Sequence, residues 1–528
     1  MFSLRFIFTL LLLSVSLLAV AQPISLSANR MKGEKRDGKM FQILKGDVSF
    51  EQNGNLVTCD NAEYDSEEEE LTGTGHVSIR SSEGVVVTGS TLIFNNKNHT
   101  ARVSGGVKLT DRDMVLTTPW INYHTDTKIG YYGSGGRIVD GDQILTSGTG
   151  SYNPNIHTLF FRYNVVLVHP DYTVRTDTLQ YNSQTGETRF FAYTEIQSED
   201  NTILCNYGVY NAKTGKSYFT RNAAILSKEN IIRADTLSYD RNTGIGQAFG
   251  RLWVKDTQQR ITIFGQRGYY DKKQKYTRVA GSPLARKFEK NGDSLLLRAD
   301  TFVYNQDSAA GKRFLYCFPS VRMWRPDFSG TADSISYVTE DSQFYLYGKP
   351  VLWNSNTRLN SDTMRIWLKQ SRIAKMEMRR GSFVSIQEDS GRYSQISGEN
   401  MDNYFSDDNK LKSVFVQKNG QAVYFVKEKD SAVTSANVVT CANLRILMDS
   451  GKVNQVRFYG SPEGNIYPID QMPADKTKLA GFIWDPANRP EAAQFTPGFV
   501  VPELPSKRGN AMVPAQQKNK PEKPKNKK

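Results

Sequence analysis

The chain has 528 residues, a formal net charge of +13 and 38% hydrophobic residues. Eight basic residues and one acid lie between Pro505 and Lys528, so much of the positive charge belongs to the tail, and we expect no nucleic-acid binding by the body. A chain of this length ordinarily forms two or more domains, unless it is a repeat array in which each unit buries its apolar face against its neighbours.

The first 21 residues have the pattern of a secretory signal peptide. Arg5 supplies the positive start, an apolar run follows from Phe6 to Leu18, and Ala19-Val20-Ala21 forms a small-x-small cleavage site. The apolar run is too short to span a bilayer comfortably. The sequence therefore predicts an exported protein, cleaved after Ala21 and located in the periplasm, with association with the outer membrane as an option.

A repeat of about 29 residues follows. Similar segments such as VRTDTLQYN, IIRADTLSYD and LLLRADTFVYN each end near an aromatic residue, which we use as the index of the repeat. Five consecutive intervals between these index residues are 29 residues long, which is the periodicity of a repeat architecture. The index series is Tyr64, Phe94, Tyr123, Tyr152, Tyr181, Tyr210, Tyr239, Tyr270, Tyr304 and Tyr337, followed by Ile366.

Two apolar columns accompany the index. One lies seven residues before it, as at Ile232 and Leu297, and the other lies two residues before it, as at Leu237 and Phe302. Because side chains alternate faces along a strand, a separation of five cannot leave both columns on one face of a straight strand. A bulge is therefore predicted between them, at pairs such as Ala234-Asp235, where we expect the aspartate to support the kink through local backbone hydrogen bonds.

Each repeat is predicted to be a hairpin of two kinked strands. A glycine recurs eleven residues after the index, as at Gly75 and Gly250, and turn-rich tetrads such as Arg241–Gly244 separate the two strands. The predicted fold is all-β: an elongated repeat β-jelly roll, a solenoid of stacked antiparallel kinked hairpins. A parallel β-helix is the alternative, because it also repeats on this scale.

The repeat array is assigned to residues 22–470. It is clearest over residues 57–366 and looser over residues 396–469. Residues 471–528 are predicted to be a disordered tail rich in Pro and Lys.

Catalysis and metal binding are not expected. None of the five histidines has the spacing of a metal site. The aspartate of the D-T step recurs at Asp177, Asp235, Asp300 and Asp362, whereas a catalytic pair needs one special location. We expect no cofactor. The four cysteines are predicted to be free, small buried residues.

The repeated (A/T)-D-T-L-x-Y-(D/N) … G-x-V pattern resembles the organic-solvent-tolerance family, also called the OstA/LptA-like domain, over roughly Ile24 to Ile469. That family contains the periplasmic bridge of lipopolysaccharide transport and the soluble domain of its outer-membrane partner. The resemblance implies lipopolysaccharide as cargo and the inner-membrane and outer-membrane components of a transport system as partners. End-to-end self-association is a further option.

An apolar trough along such an array would shield acyl chains, each CH₂ of which costs about 0.8 kcal/mol in water. The predicted function is a periplasmic lipid-binding bridge protein for lipopolysaccharide transport to, and assembly of, the outer membrane. An exported structural or adhesive β-rod without lipid is the alternative, and a β-helical polysaccharide-degrading enzyme is a third interpretation. The candidate trough residues are Leu92, Phe94, Ile121, Tyr123, Leu179, Tyr181, Ile232, Leu237, Tyr239, Leu297, Phe302, Tyr304, Ile335, Tyr337, Met364 and Ile366.

Overall fold

A computed structural model describes residues 25–506, apart from 53, 83, 259, 289–293, 308–310, 370–371, 408–409, 429–431 and 450–451. The predicted signal peptide and the basic end of the tail lie outside the described residues. The chain divides into two compact units, one up to Pro170 and one from Asp171.

The described part of the first unit contains thirteen strands and one short 3₁₀ turn, Pro154–Ile156. Strands β1 to β13 are, in chain order, Ser25–Ser27, Arg30–Arg36, Lys39–Gln52, Asn55–Asp65, Glu70–Arg80, Val86–Asn95, Thr100–Asp111, Met114–His124, Gly130–Tyr132, Gly136–Asp140, Gln143–Ser147, Thr149–Asn153 and Thr158–His169.

The described part of the second unit contains strands β14 to β40. They are, in chain order, Tyr172–Asn182, Glu187–Phe190, Thr194–Ser198, Asn201–Cys205, Tyr207–Asn211, Lys216–Ser227, Asn230–Asp240, Ile245–Asp256, Ile261–Asp271, Tyr276–Ala280, Leu284–Phe288, Ser294–Arg298, Thr301–Asp307, Lys312–Phe318, Val321–Trp324, Ser329–Ala332, Ser334–Val338, Gln343–Tyr347, Val351–Asn354, Thr357–Asn360, Thr363–Lys369, Arg372–Gln387, Tyr393–Phe405, Leu411–Glu428, Ala432–Asp449, Lys452–Tyr459 and Glu463–Pro468.

Helical residues after Pro468 form only short 3₁₀ turns, at Ile469–Gln471, Ala474–Lys476, Pro486–Asn488 and Ala492–Phe495. Within the described ranges, no helix is long and apolar enough to cross a membrane.

Strand pairing confirms the predicted fold class. Hairpins such as β20–β21 pair antiparallel, and each hairpin pairs antiparallel with the next, as β21 does with β22. All pairs of described strands have this orientation, so the alternative of a parallel β-helix is wrong. The antiparallel β-repeat follows from the turn tetrads, which are too short for the crossover that parallel strands require.

The strands kink where the sequence predicts a bulge. The register of β20 against β21 shifts between Arg233 and Thr236, and that of β19 against β20 shifts between Thr220 and Ala223. Each shift adds the residue that brings both apolar columns onto one face. The two halves of each long strand thus form two walls that face each other.

The recurring glycine has a conformational reason at the kink. Gly250 has a φ of +68°, which residues with a Cβ adopt only at a cost, and a Cβ there would collide with the carboxylate of Asp235. Nε of Arg251 donates a hydrogen bond of 2.8 Å to Oδ1 of Asp235. The aspartate therefore closes the kink through a side-chain partner across the hairpin, where the sequence predicts backbone donors.

The prediction of a disordered tail is wrong for residues 471–506. After β40 the chain forms an irregular segment, the C-terminal strap (residues 469–506), which packs on the outer face of the second unit. Phe495 is buried together with Phe264, Leu284 and Leu296, and the Trp484 ring lies 5.1 Å from the Trp353 ring. The aromatic residues of the strap supply the burial, whereas the disorder prediction rested on the composition of the Lys-rich end.

Polar contacts show the direction in which the strap runs. Nε2 of Gln395 donates to the carbonyl of Thr477 (2.8 Å), and Nε of Arg358 donates to Asp485 (2.7 Å). Further along the strap, NH2 of Arg298 donates to the carbonyl of Thr496 (2.7 Å), and NH1 of Arg233 donates to that of Pro502 (3.3 Å). The strap therefore runs back along the second unit, from β36 to β20.

Candidate functional site

The site is the space between the two walls of the second unit. One wall carries the index aromatics and is called the aromatic wall; the other carries the column around Ile232 and is called the aliphatic wall. Phe219, Leu237 and Val279 of the aromatic wall form a buried cluster against which Ile225 and Ile232 of the aliphatic wall pack. The two predicted columns therefore face each other.

The inner row of the aromatic wall forms the floor. Its residues pair in register from strand to strand, and the row from β14 to β26 is Leu179, Phe190, Gly208, Phe219, Leu237, Ala248, Gly268, Val279 and Phe302. Most of these side chains are fully buried. Three small residues, Gly208, Ala248 and Gly268, leave room for the large neighbours in the row: a Cβ at Gly208 would lie 2.9 Å from the ring of Phe219.

On each strand, the rim row lies two residues from the inner row, on the side of the turn that follows the index residue. Over β14 to β26 it reads Tyr181, Thr188, Tyr210, Ser217, Tyr239, Gly246, Tyr270, Thr277 and Tyr304. Tyr239 is 36% exposed and Tyr270 is 44% exposed. Because the phenols alternate with small residues, the rim is a series of half-exposed aromatic rings separated by gaps.

The inner row of the aliphatic wall is only partly buried in this part of the unit, although it faces inward. From β16 to β24 the partly buried residues are Ile196, Ile203, Ile225, Ile232, Val254, Ile263 and Ala285. An inward-facing aliphatic row that keeps solvent contact lines an open groove. We call residues 172–288 the open section.

The base of the groove, where the walls meet, is lined by small buried residues. Thr176, Cys205 and Ala234 occupy this position in successive repeats of the open section. Burial raises the pKa of the Cys205 thiol to about 12. The cysteines at 59, 205, 317 and 441 are all buried and free of disulfides.

The predicted trough residues separate by depth. Leu179, Leu237, Phe302, Ile335 and Met364 are buried in the inner row of the aromatic wall, and Leu297 is buried in the aliphatic row. Ile232 is partly buried in the aliphatic row, and Tyr181 and Tyr337 are partly buried at the rim. Tyr239 and Tyr304 are exposed rim residues, and Ile366 is buried. In the first unit, at the equivalent positions of the repeat, Leu92 and Ile121 are buried, Phe94 is partly buried and Tyr123 is exposed.

The sequence analysis missed most of the aliphatic row. Ile203 and Ile263 stand seven residues before an index, as Ile232 does, so the column that gave Ile232 could have found them. Ile196, Ile225 and Val254 lie on the return strands, which the index did not align. Their signal is the register itself, because Ile225 pairs with both Ile203 and Ile232.

The groove is closed over residues 357–459, which we call the sealed section. The same rows continue there, but the rim row becomes Ile366, Met376, Asn403, Val414 and Ile446, and all five are buried. The aliphatic row becomes Leu359, Val384, Ile396, Ala422 and Val439, and these are buried as well.

An additional apolar level explains the sealing. In the open section the residue two after the index lies at an exposed turn, as do Arg241 and Lys272. In the sealed section the strands are longer, up to 18 residues in Leu411–Glu428 and Ala432–Asp449. They add the apolar residues Leu368, Ile373, Phe405, Leu411 and Met448 above the rim row, all packed against the core.

A small cleft lies at the start of the sealed section. It is lined mainly by the apolar side chains of Phe328, Leu352, Leu359, Ile373, Met376 and Phe405. Asp327 stands at its edge, where it accepts a hydrogen bond of 3.0 Å from Nε of the buried Arg325.

Tyr172 lies on the first strand of the open section. Burial raises the pKa of its phenol, and the charges of Tyr210 and Arg241 also act on it.

The described residues contain no group of three or more His, Cys, Asp or Glu side chains that could hold a metal ion.

Comparison with known proteins identifies one family. Residues 23–177 match the model of the family described as OstA-like protein. These residues are therefore similar to the OstA-like family. The resemblance inferred from the repeat grammar is thereby confirmed, and the OstA-like match covers the strands of the first unit together with most of β14.

Two of the solved structures that match the chain have low sequence identity to it. LptH from Pseudomonas aeruginosa, described as the LptA homologous periplasmic component of a lipopolysaccharide transport device, is 19% identical, with 21% of this chain and 80% of LptH covered and a TM-score of 0.19. The extracellular domain of a hybrid two component system from B. thetaiotaomicron is 10% identical, with coverages of 72% and 90% and a TM-score of 0.11. None of the curated proteins matches. TM-scores of this size carry no inference about function.

Proposed function

We propose that this protein is a periplasmic lipid-binding bridge protein whose open section shields the acyl chains of lipopolysaccharide during transport to the outer membrane. The observation that supports this most is the partly buried aliphatic row of Ile225, Ile232 and its neighbours, which faces a rim of half-exposed tyrosines. A sealed core would bury these side chains completely.

The chemistry of the groove suits an amphipathic lipid. The walls are aliphatic below the rim and can remove acyl CH₂ groups from water, each worth about 0.8 kcal/mol. Phenol and hydroxyl groups line the rim, where the polar part of such a lipid would leave the groove. At about 4.8 Å per strand, the seven strands that carry the partly buried aliphatic row of the open section span roughly 29 Å.

The OstA-like match and the predicted signal peptide support the export and transport parts of the proposal. In that setting the partners are lipopolysaccharide and the inner-membrane and outer-membrane components of the transport system, with end-to-end self-association as a further mode. No catalytic step is part of the proposal.

Photocrosslinking from the aliphatic row tests the proposal. A photoreactive amino acid at position 232 in cells should form adducts with lipopolysaccharide, identified by mass spectrometry. The matched control is Gln247, an exposed outward residue on a neighbouring strand of the same unit. Equal adduct yields at 232 and 247 would remove the support for a lipid groove and would favour the alternative of a structural rod.

A further inference from the structure

The groove of the second unit differs in depth along its length. In the open section, the aliphatic row around Ile232 is partly exposed and the rim residue Tyr239 is 36% exposed. In the sealed section the equivalent rim residue Val414 is 0% exposed, as is Val384 of the aliphatic row. An acyl chain can lie against the first set of side chains, but it has no free surface to contact in the second.

The seal is a packed core. Met376, Met378, Met401 and Val416 from one wall and Val384 from the other belong to one continuous buried cluster. Opening it for a lipid would separate apolar side chains that now fill the space between the walls, at about 25 cal/mol for each Å² of apolar surface exposed. The open section requires no such separation.

The closure begins before the sealed section. After Ala285, the aliphatic row continues through Leu297, Met323 and Leu352, all of which are buried. An acyl chain in the open section therefore meets packed side chains beyond residue 288.

We infer that the groove is blind at its C-terminal end, and that the sealed section is a scaffold that lipid does not enter. The inference rests on the proposed lipid function and specifies the path. Lipid bound in the open section must leave through the mouth between the two rims, because it cannot thread through residues 357–459.

Three aromatic positions allow a matched test in the full-length protein, because a photoreactive phenylalanine derivative replaces a ring with a ring. Position 239 reports on the open rim and position 424 on the sealed section, where the partly buried Tyr424 packs against the core from the aliphatic wall. Tyr218, exposed on the outer face of β19, provides the background control. Circular dichroism and thermal unfolding verify that each variant is folded.

The expected result is lipopolysaccharide adducts at 239, with the yield at 424 no higher than at 218. Adducts at 424 comparable to those at 239 would overturn the blind end and leave the proposed function intact. Background yields at all positions, including 239, would instead contradict the proposed function itself.

Discussion

The open and sealed sections of the second unit share one register but differ in what their side chains contact. Tyr239 and Val414 occupy the same rim row, and Ile232 and Val384 occupy the same aliphatic row. The two sections differ in the residues that follow the rim row. After Tyr239 the strand ends in a polar turn, whereas in the sealed section the strand continues with apolar residues such as Phe405. Strand length beyond the index therefore decides whether this fold makes a groove or a core.

The C-terminal strap covers an outer face that a simple hairpin array would leave in water. Trp353 and Phe383 point outward, away from the groove, and are nevertheless buried, with the strap rings of Trp484 and Phe482 against them. Contact with the strap therefore accounts for the apolar character of these positions.

The largest contrast is expected from a new charge in the two sections. Val414→Asp places an unpaired carboxylate in a fully buried position and should reduce the free energy of unfolding by about 3 kcal/mol or more. Ile232→Asp lies in the open section, where the carboxylate can reach water, and should cost only about 1 kcal/mol while it reduces lipid crosslinking. Chemical denaturation measures both.

Leu237 is a poor position for a new charge in the open section, because its side chain is buried in the floor of the groove. We therefore expect Leu237→Asp to resemble Val414→Asp. Similar stability losses for Val414→Asp and Ile232→Asp would contradict the distinction between the two sections.

The strap is expected to contribute strongly to stability. Phe495 is 1% exposed among Phe264, Leu284 and Leu296, so Phe495→Ala should cost about 3–5 kcal/mol in the surrounding strands. Thermal unfolding measures the effect. The control is truncation after Pro505, which the composition of the tail predicts to leave the melting temperature unchanged; an unchanged melting temperature for Phe495→Ala as well would show that the strap is dispensable.

An intermediate effect is expected at the kink. Gly250→Ala forces a Cβ into a left-handed conformation and against Asp235, and it should cost about 1–2 kcal/mol. Gly391→Ala is the matched control, because a Cβ there meets nothing within 4 Å and the glycine does not have a positive φ. Equal effects of the two substitutions on the free energy of unfolding would show that the kink tolerates other backbone conformations.

The smallest effect concerns Tyr172, on the first strand of the open section. Because burial raises the pKa of this phenol, the folded protein holds the proton more tightly than the unfolded chain does. The resulting stabilisation is present below the unfolded pKa of about 10 and decreases as the pH rises through the folded value. Relative to the unaltered protein, Tyr172→Phe should show a smaller stability loss between pH 8 and pH 11; an identical loss would place Tyr172 in water.

The repeat, the strand pairing and the kink could be predicted from the sequence because they depend on local periodicity. The five-residue separation of the columns at Ile232 and Leu237 specified the bulge. The burial of each inward-facing residue could not be predicted from this periodicity. A period of two places Leu237 and Tyr239 on the same face, but which of them is buried depends on the height of the opposite wall.

The sealed section and the strap were missed for different reasons. After residue 396 the repeats are looser, and the additional apolar level at Phe405 and Leu411 has no counterpart in the earlier repeats with which to align. The strap has no periodicity, and its contacts join residues far apart in sequence, such as Arg233 and Pro502. No local pattern encodes such a pairing.

Thiol labelling tests the division into two sections most directly. Ile232→Cys and Leu359→Cys place a thiol at equivalent positions of the aliphatic row, and the four native cysteines are buried and should react slowly. We predict that a maleimide labels Ile232→Cys roughly 100-fold or more faster than Leu359→Cys, since the buried thiol reacts only after local opening, and that lipopolysaccharide slows labelling of Ile232→Cys alone. Equal labelling rates at the two positions, or no protection of Ile232→Cys by the lipid, would contradict an open lipid groove that ends at a sealed core.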